Sequence, residues 1–381
     1  MSRRPFVTLC VIARDEAGQL ARCLESARPA VDEMVVVDTG STDATPDEAR
    51  RLGARVVSTP WRDDFALARN VALDHARGTW ILSLDADEAL PPPTAARLRP
   101  TLVAADAPAL RVPIENLGPG GAVESVHCAV RLFRRAPAHR WHGAIHEEVR
   151  VSRASDAVLP IVHHGYAEPA TLRRKLERNR TLLERRAAGD PADGATAFYL
   201  AETRLALDDA TGAATLAEAA LARLAPDGLL ALALLDVLAV ARAASGQLDA
   251  AADACRLALA LRPEWIDPRL LLGLVSRRAG RAREAIIHLG RYLVDRERLA
   301  NDPTWPTRLP RLRTLGAEAQ ARAQLALVHA ALGDLGRARR EGLRAAALAP
   351  SDALPARLLG RLAAATAEPT AAAGRQEGDD R

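Results

Sequence analysis

The sequence lacks the features of disulfide-rich, membrane-spanning and nucleic-acid-binding proteins. Four cysteines among 381 residues, at positions 10, 23, 128 and 255, show no paired spacing, which fits a reducing compartment. No run of about 18 uncharged apolar residues occurs, and even 229–241 is interrupted by Asp236. The 52 basic and 48 acidic side chains leave a net charge of +4, so no basic stripe indicates nucleic acid.

The amino-terminal residues do not have the pattern of a signal peptide. Arg14 and Asp15 follow the first apolar run, 7–12, too closely, and that run is needed as a strand. We therefore expect a cytoplasmic protein, and peripheral association with the inner face of the membrane stays open.

Short apolar runs alternate with helical patterns over the first ninety residues. Four runs have the composition of buried strands: 7–12, 34–37, 54–57 and 80–84. After each of the first three runs the residues have the pattern of a helix, at 19–24, after Asp43 and over 63–77. Gly78 stands where the C-terminal cap of the third helix is expected. This alternation predicts an α/β domain whose parallel sheet is covered on both faces.

Two carboxylates follow the fourth apolar run. Asp85 and Asp87 are two positions apart, so on a strand they face the same side. Burying unpaired negative charge is costly, and we therefore expect a positive group there, such as a divalent cation holding a diphosphate. Such a pair alone also fits a solvated loop. Asp38 ends the second strand, however, and ligands of parallel sheets bind at the carboxyl ends of strands, which favours one shared crevice.

Four motifs in this order resemble the inverting family 2 glycosyltransferases of the GT-A fold. They are LCVIARDE, VVVDTGSTD, DFALARN and LSLDADE, and the resemblance covers about residues 5–180. The chain is most similar to the subgroup in which tetratricopeptide repeats follow the catalytic domain. The resemblance implies transfer of a sugar from a nucleotide diphosphate, usually a uridine one (a UDP-sugar), with bound Mg²⁺ or Mn²⁺.

The resemblance also implies roles for individual residues. Asp38 would accept a hydrogen bond from the base, Asp85 would contact the ribose or a metal-bound water, and Asp87 would ligate the metal. The remaining nucleotide or phosphate contacts implied are Ala13, Arg14, Glu16, Arg69 and Asn70. Without this resemblance Arg69 would be interpreted as a surface arginine, and Asp43 is interpreted as a helix-start residue rather than a ligand.

Six of the nine histidines fall between residues 127 and 164, which indicates a site. Here the subgroup has a Gly-x-Ile-His-Glu segment that closes over the sugar and supplies a carboxylate at the acceptor. Inversion needs a base for the acceptor proton, and Glu147 is the candidate, with Glu148 as its alternative. Many family 2 enzymes use an aspartate at this place. His146 is either a structural histidine or part of the sugar pocket.

A zinc site is the competing explanation for the histidines, but no His-Glu-x-x-His helix or paired cysteines occur. His163 and His164 follow the strand-like run 158–162, and one of them would complete the metal shell or contact the diphosphate. Side chains alternate along a strand, so only one faces the site. Lys175, Arg178 and Asn179 share a helix face, which is either a basic cap over the diphosphate or a solvated surface.

A repeat begins near residue 190. Gly212, Gly246 and Gly280 are 34 positions apart, each followed five positions later by alanine, and Gly333 resumes the pattern after 19 additional residues. This period predicts tetratricopeptide repeats, interrupted by a proline-containing insertion at 299–316. The predicted organisation is a catalytic domain at 5–185, an all-α repeat domain at 190–365 and a disordered tail at 366–381.

The sequence thus predicts a metal-dependent inverting glycosyltransferase of hexosyl or N-acetylhexosaminyl type. The repeats would present the acceptor, which is a peptide, lipid or glycan, or would bind a protein partner. A purely supporting or dimerising role for the repeats is nearly as well founded. The alternatives are a repeat-based adaptor with a degenerate catalytic domain, and a nucleotidyltransferase, which is disfavoured because no glycine-rich basic loop follows the first strand.

Overall fold

The structure is a computed structural model, and it describes residues 5–118, 121–164, 169–302, 304–305 and 308–367. The chain divides into two compact units. One contains residues 1–241 together with 303–313, and the other contains residues 242–302 together with 314–381. The predicted domain limits of 5–185 and 190–365 therefore do not coincide with these units, because the first helices after residue 190 belong to the unit of the sheet.

Four parallel strands form the part of the sheet that the sequence predicts. They are β1 (Val7–Ala13), β2 (Glu33–Asp38), β3 (Arg55–Ser58) and β4 (Trp80–Asp85). The register aligns Ala13 with Asp38 and Ile12 with Asp85, so the carboxyl ends of β1, β2 and β4 meet at one edge. The predicted α/β class is confirmed, and Asp38 and Asp85 stand at the edge where ligands of such sheets bind.

Further strands extend the sheet beyond β4, in the order β3-β2-β1-β4-β7-β6-β11-β5, and β4 and β6 both pair antiparallel with β7. Their bounds are β5 (Glu88–Ala89), β6 (Ala109–Leu117), β7 (Val123–Arg134), β10 (Ala154–Asp156) and β11 (Ile161–His163), and β10 pairs with β6. A separate two-stranded ladder joins β8 (Trp141–His142) to β9 (Glu148–Val149).

Helices cover both faces of the sheet, as the apolar strands require. They are α1 (Ala17–Ala27), α2 (Thr45–Arg51), α3 (Phe65–His75) and α4 (Pro92–Ala104). Leu9, Leu82 and Leu84 of the strands pack in one core with Leu20 of α1, whereas Val35 and Ile81 pack in another with Leu73 of α3. Residues that are next to each other along a strand thus pack into different cores, one on each face of the sheet.

Gly78 has a different role from the predicted helix cap. Helix α3 ends at His75, and its cap is Ala76 in an extended conformation. A β-carbon at Gly78 would lie 2.6 Å from the backbone nitrogen of Thr8 and 2.9 Å from the carbonyl oxygen of Trp80. The glycine is required because the chain passes close to β1 as it enters β4.

Helices make up most of the described residues after β11. The helices are α5 (Pro169–Gly189), α6 (Gly194–Ala206), α7 (Ala210–Leu221), α8 (Leu229–Ala244), α9 (Leu248–Leu261), α10 (Ile266–Arg278), α11 (Ala282–Ala300), α12 (Glu318–Ala331), α13 (Leu335–Leu348) and α14 (Ala353–Ala367). The predicted helical repeat region is confirmed. Gly246, Gly280 and Gly333 occupy left-handed turn positions with φ of 77°, 74° and 77°, which glycine adopts without steric cost.

The first of the periodic glycines is an exception, because it lies inside a helix and not in a turn. Gly212 lies in the first turn of α7, where its N–H donates to Asp209 Oδ1 at 2.9 Å. The left-handed turn position before α7 is occupied by Asp208, with φ of 66°. The 34-residue spacing therefore missed the true register of the first repeat. The alanines that follow the later glycines, Ala251, Ala285 and Ala338, are fully buried.

The predicted insertion contains a strand that the sequence did not indicate. Strand β12 (Arg311–Leu312) pairs antiparallel with β7, with Arg311 opposite His127, so a segment between α11 and α12 joins the amino-terminal sheet. Pro303 and Pro306 lie outside the described residues. Of the tail predicted at 366–381, the first two residues end α14 and the others lie outside the described residues. Within the described ranges, no helix is both long and apolar enough to span a membrane.

Candidate active site

Two loops at the ends of β1 and β2 are joined by side-chain hydrogen bonds. Asp15 Oδ1 accepts from the backbone N–H of Thr42 at 2.6 Å, and the backbone N–H of Glu16 donates to Thr45 Oγ1 at 2.8 Å. Asp43 accepts from the backbone N–H groups of Thr45, at 2.9 Å, and Ala17, at 3.3 Å. Asp43 thus serves the starts of α1 and α2, in agreement with the helix-start interpretation.

Asp38 lies at the end of β2, next to the second of these loops, and it is almost fully buried. Its carboxylate accepts from the backbone N–H of Ser41, at 3.2 Å, and of Gly40, at 3.3 Å. Gly40 has φ of 102°, a conformation that glycine adopts readily. These bonds fix the orientation of the carboxylate, and its oxygens keep lone pairs for a further donor.

An alternating chain of carboxylates and guanidinium groups lies where the end of β4 meets the antiparallel strand β7. Buried Arg69 of α3 donates to both Asp85 and Glu147. Arg131 of β7 donates to Asp85 Oδ2 at 2.8 Å and to Glu88 Oε1 at 2.6 Å. Glu88 Oε2 accepts from the backbone N–H of Asp85 at 2.8 Å. We call Glu147, Arg69, Asp85, Arg131 and Glu88 the ion network.

The positive charge at the end of β4 comes from the protein itself, through the arginines of the ion network. Burial alone would raise the pKa of Asp85, but the charges of Arg131 and Arg69 outweigh it and hold that pKa well below its usual range. Burial together with the charge of Asp85 raises the pKa of Glu88 to about 7, although Arg131 opposes this. The positive group expected beside Asp85 is thus a pair of arginines. The contact of Asp85 with ribose or a metal-bound water stays a prediction.

Asp87 lies outside the ion network and contacts a histidine instead. Its Oδ2 is 3.3 Å from Nε2 of His163, the last residue of β11. The Nδ1 atom of the same ring is 2.9 Å from Oδ1 of Asn116 on β6. Since an amide oxygen only accepts, Nδ1 carries the proton and Nε2 faces Asp87. Burial opposes protonation of His163, yet the hydrogen bond and charge of Asp87 raise its pKa.

Asp87 and His163 fit a divalent cation. A carboxylate oxygen and an imidazole nitrogen stand side by side, and Asn116 holds the imidazole as an outer-shell partner does in metal sites. Across residues 5–118, 121–164, 169–302, 304–305 and 308–367, no group of three or more His, Cys, Asp or Glu side chains is arranged to hold a metal. A magnesium ion needs only one or two carboxylates when substrate phosphates and waters complete its shell.

Among the described residues, the rings of His139, His142 and His164 form no ion pair with Asp87. His164 contributes its backbone N–H, which donates to the carbonyl oxygen of Asp87 at 2.9 Å. His139 is bonded through Nδ1 to the Arg134 carbonyl oxygen, and His142 is exposed in β8. The clustered histidines therefore do not all reach Asp87, because strand alternation and loop turns send neighbouring rings to different places. His127 lies beside the residue that holds His163, with 3.5 Å between its Nδ1 atom and Asn116 Nδ2.

The predicted acceptor-side residues lie in the loop between β8 and β9. Glu147 is almost buried, and its Oε1 atom accepts from Arg69 Nε. His146 has φ of 48°, and its ring stacks on Tyr199 with centroids 3.7 Å apart and planes 5° from parallel. Burial, helped by the charge of Arg186, lowers the pKa of His146 to about 4. Glu148 is exposed in β9.

The residues predicted to contact the nucleotide differ in how their side chains are bonded within the protein. Asn70 is bonded to the backbone of Trp141 through both ends of its amide, donating to the carbonyl oxygen at 2.9 Å and accepting from the N–H at 3.0 Å. Arg14 is about half exposed beside Ala13 at the end of β1. Lys175 Nζ lies 4.0 Å from Glu16 Oε1, and Arg178 lies over the ring of Phe65 at 5.2 Å. The ligand roles of all these residues stay predictions.

Sequence reasoning missed three partners that complete the site: Glu88, Asn116 and Arg131. Glu88 stands directly after Asp87, and its position beside a strand-end carboxylate was the available signal. Arg131 lies in β7, and the periodicity of a strand gives no indication of its partner. Asn116 carried no signal, because only the pairing of β6 with β11 brings it to His163.

Comparison with known proteins identifies the first part of the chain. The carboxylates Asp38 and Asp85 lie at the edge of the sheet where parallel α/β domains bind their ligands. The family model described as glycosyl transferase family 2 matches residues 8–123. The chain thus carries a family 2 glycosyltransferase domain, followed by a tetratricopeptide-like helical region.

Individual relatives match parts of the chain. A TPR repeat-containing protein of Synechococcus elongatus is 40% identical over 200 residues, which cover 49% of each chain. An uncharacterized glycosyltransferase of Rickettsia felis is 38% identical over 84 residues, or 22% of this chain and 29% of that protein. A crystal structure of a thermophilic TPR protein from Thermus thermophilus has 23% identity and a TM-score of 0.35, covering 52% of this chain and 94% of that chain. The chain spans about half or less of the length of these two curated relatives.

Replacing Arg69 by methionine tests the ion network. Arg69→Met leaves Glu147 without an ionic partner among the described residues, and loss of one member of a buried pair costs about 3 kcal/mol of unfolding free energy. Urea unfolding measures this cost. The matched control is Arg50→Met, because the Arg50–Asp47 pair is exposed and should change stability by less than about 0.5 kcal/mol. Equal stability of the two variants would contradict the role of the network.

Proposed function

We propose that the protein is a metal-dependent inverting glycosyltransferase. It transfers a hexose or N-acetylhexosamine from a nucleoside diphosphate donor, with UDP favoured, to an acceptor hydroxyl. The observation that carries this proposal is the pairing of Asp87 with His163, beside the aligned ends of β1 and β4, in a family 2 glycosyltransferase domain.

Asp87 and His163 would hold Mg²⁺ or Mn²⁺. Asn116 keeps the His163 ring in the tautomer whose Nε2 lone pair is directed to the side of Asp87. When bound, the cation supplies charge stabilisation for the departing nucleoside diphosphate. Because both oxygens of Asp85 are bonded to arginines, we assign direct ligation to Asp87 and leave Asp85 to the ribose side or to a water.

The nucleotide would bind along the ends of β1 and β2. Asp38 has a fixed carboxylate whose remaining lone pairs suit the N3–H donor of uracil. Ala13, Arg14 and Glu16 border the same edge, and Lys175 is near Glu16. Positive side chains here, including Arg178, would compensate the charge of the diphosphate.

Glu147 would take the proton of the acceptor hydroxyl. Its Oε1 atom is held by Arg69, and its Oε2 atom has no protein partner in the described part of the chain, so one oxygen is oriented and the other is free for a proton. His146 is neutral at pH 7 because its pKa is about 4, and it can accept a hydrogen bond beside the acceptor. The helical region would present the acceptor, whether peptide, lipid or glycan, or a protein partner.

A second candidate function is a repeat-based adaptor whose catalytic domain is degenerate. It is favoured by the ion network, since pairing of Asp85 and Glu147 with arginines also suits a domain that binds no donor. Hydrolysis of nucleotide sugars separates the two functions. Slow, Mn²⁺-dependent hydrolysis is expected of the transferase and none of the adaptor.

Asp87→Asn tests the metal assignment. Removal of the carboxylate charge should weaken Mn²⁺-dependent binding of UDP at least about 100-fold, because even outer-shell changes cost 10- to 100-fold in metal affinity. Titration calorimetry measures the binding, and the melting temperature should stay that of the wild type. Asp47→Asn, which changes an exposed carboxylate on α2, is the control. Undiminished UDP binding by the Asp87 variant would defeat the assignment.

Glu147→Gln tests the base. Glutamine keeps an acceptor oxygen for Arg69 but cannot take a proton at neutral pH, so Mn²⁺-dependent hydrolysis of UDP-glucose and UDP-N-acetylglucosamine should fall about 100-fold or more. UDP binding should be retained. The control is Glu148→Gln, whose exposed side chain should leave hydrolysis unchanged. If Glu147→Gln kept hydrolysis and Glu148→Gln lost it, the base would be Glu148.

A further inference from the structure

The loop between β8 and β9, residues 143–147, is held by helices on two sides. The backbone N–H of Phe65, at the start of α3, donates to the carbonyl oxygen of Ala144 at 2.9 Å. Arg186 of α5 donates through Nη1 to the carbonyl oxygen of Ile145 at 3.1 Å. Ile145 itself is buried in a core formed with Leu182, Leu183 and Leu200. The loop is therefore packed into the structure from the helical side.

His146 occupies an unfavourable backbone conformation within this loop. Its φ of 48° lies in the left-handed region, which costs free energy for a residue with a β-carbon. Such a conformation persists only where the surroundings hold it. The contacts of Ala144 and Ile145 hold the chain on one side of His146, and Glu147 with its bond to Arg69 holds it on the other.

The side chain of His146 has one close aromatic partner. The Tyr199 ring of α6 lies parallel to the imidazole, with 3.7 Å between the centroids and an interplanar angle of 5°. The stack joins two apolar faces, because the imidazole is uncharged when its pKa is about 4. Tyr199 lies in the region predicted as repeat domain, but it belongs to the compact unit that contains the sheet.

We infer that Tyr199 is a positioning residue for sugar transfer, since its ring holds His146 and thereby fixes Glu147, the next residue, against Arg69. The inference rests on the proposed function, because it assigns Tyr199 to the orientation of the proposed base. Its consequence is that α6, the helix that carries Tyr199, contributes to the orientation of the proposed base. Only the ring of Tyr199 is required, and not its hydroxyl group.

The test compares Tyr199→Ala with Tyr199→Phe in the full chain. Mn²⁺-dependent hydrolysis of UDP-glucose and UDP-N-acetylglucosamine gives kcat and KM, and calorimetry gives the affinity for UDP. Loss of the ring should lower kcat about 10- to 100-fold, as misplacement of a reacting group does, with UDP affinity unchanged. The phenylalanine variant, which keeps the stack, should have the kcat of the wild type. Wild-type kcat in the alanine variant would overturn the inference.

A double variant distinguishes positioning through His146 from an independent effect. If Tyr199 acts through His146, the combined His146→Ala and Tyr199→Ala changes should lower kcat no further than the larger single effect. If the fold-losses of kcat in the two single variants multiply in the double variant, the inference is overturned. If Tyr199→Ala does not fold, Tyr199→Leu takes its place, with the same expected loss of kcat. Failure of the proposed function looks different, because the wild type would then neither bind UDP nor hydrolyse either sugar nucleotide.

Discussion

Buried charge at the end of β4 is the constraint on which the site depends. Asp85 lies at a sheet edge where an isolated buried carboxylate is costly, and Arg69 and Arg131 compensate its charge from two different elements. The same arginines orient Glu147 and Glu88. Asp87, two residues further along, contacts no arginine in the described part of the chain, so it and His163 are the acidic and imidazole groups left for a cation. The network thus pairs Asp85 with arginines and leaves Asp87 outside it, which is why we propose Asp87 as the metal ligand.

Much of the fold could be predicted because it depends on local patterns. The strands β1, β2 and β4 are almost wholly buried, so apolar runs mark them, and the alternation with helices gives a parallel sheet. The convergence of Asp38 and Asp85 follows from the rule that parallel strands end at one edge. The repeats could be predicted because left-handed turns such as those at Gly246 and Gly280 favour glycine.

The parts that escaped prediction depend on partners distant in sequence. Arg131 and Asp85 are 46 positions apart, and no periodicity links them. Arg311 reaches the edge of β7 from an insertion whose prolines predicted only irregular chain. Tyr199 lies beyond the predicted domain boundary, yet it stacks on His146. Asp208 replaces glycine in a left-handed turn, and for this reason the spacing from Gly212 misplaced the first repeat.

The central claim is that a divalent cation joins Asp87 and His163 to a nucleoside diphosphate. Titration calorimetry of the wild-type protein with UDP, UMP and the other nucleoside diphosphates, each with and without Mn²⁺, tests it most directly. The account predicts saturable binding of a diphosphate, with UDP preferred, only when Mn²⁺ is present, and much weaker binding of UMP. Absence of heat for every nucleotide under both conditions, or equal affinity for UDP with and without Mn²⁺, would contradict it.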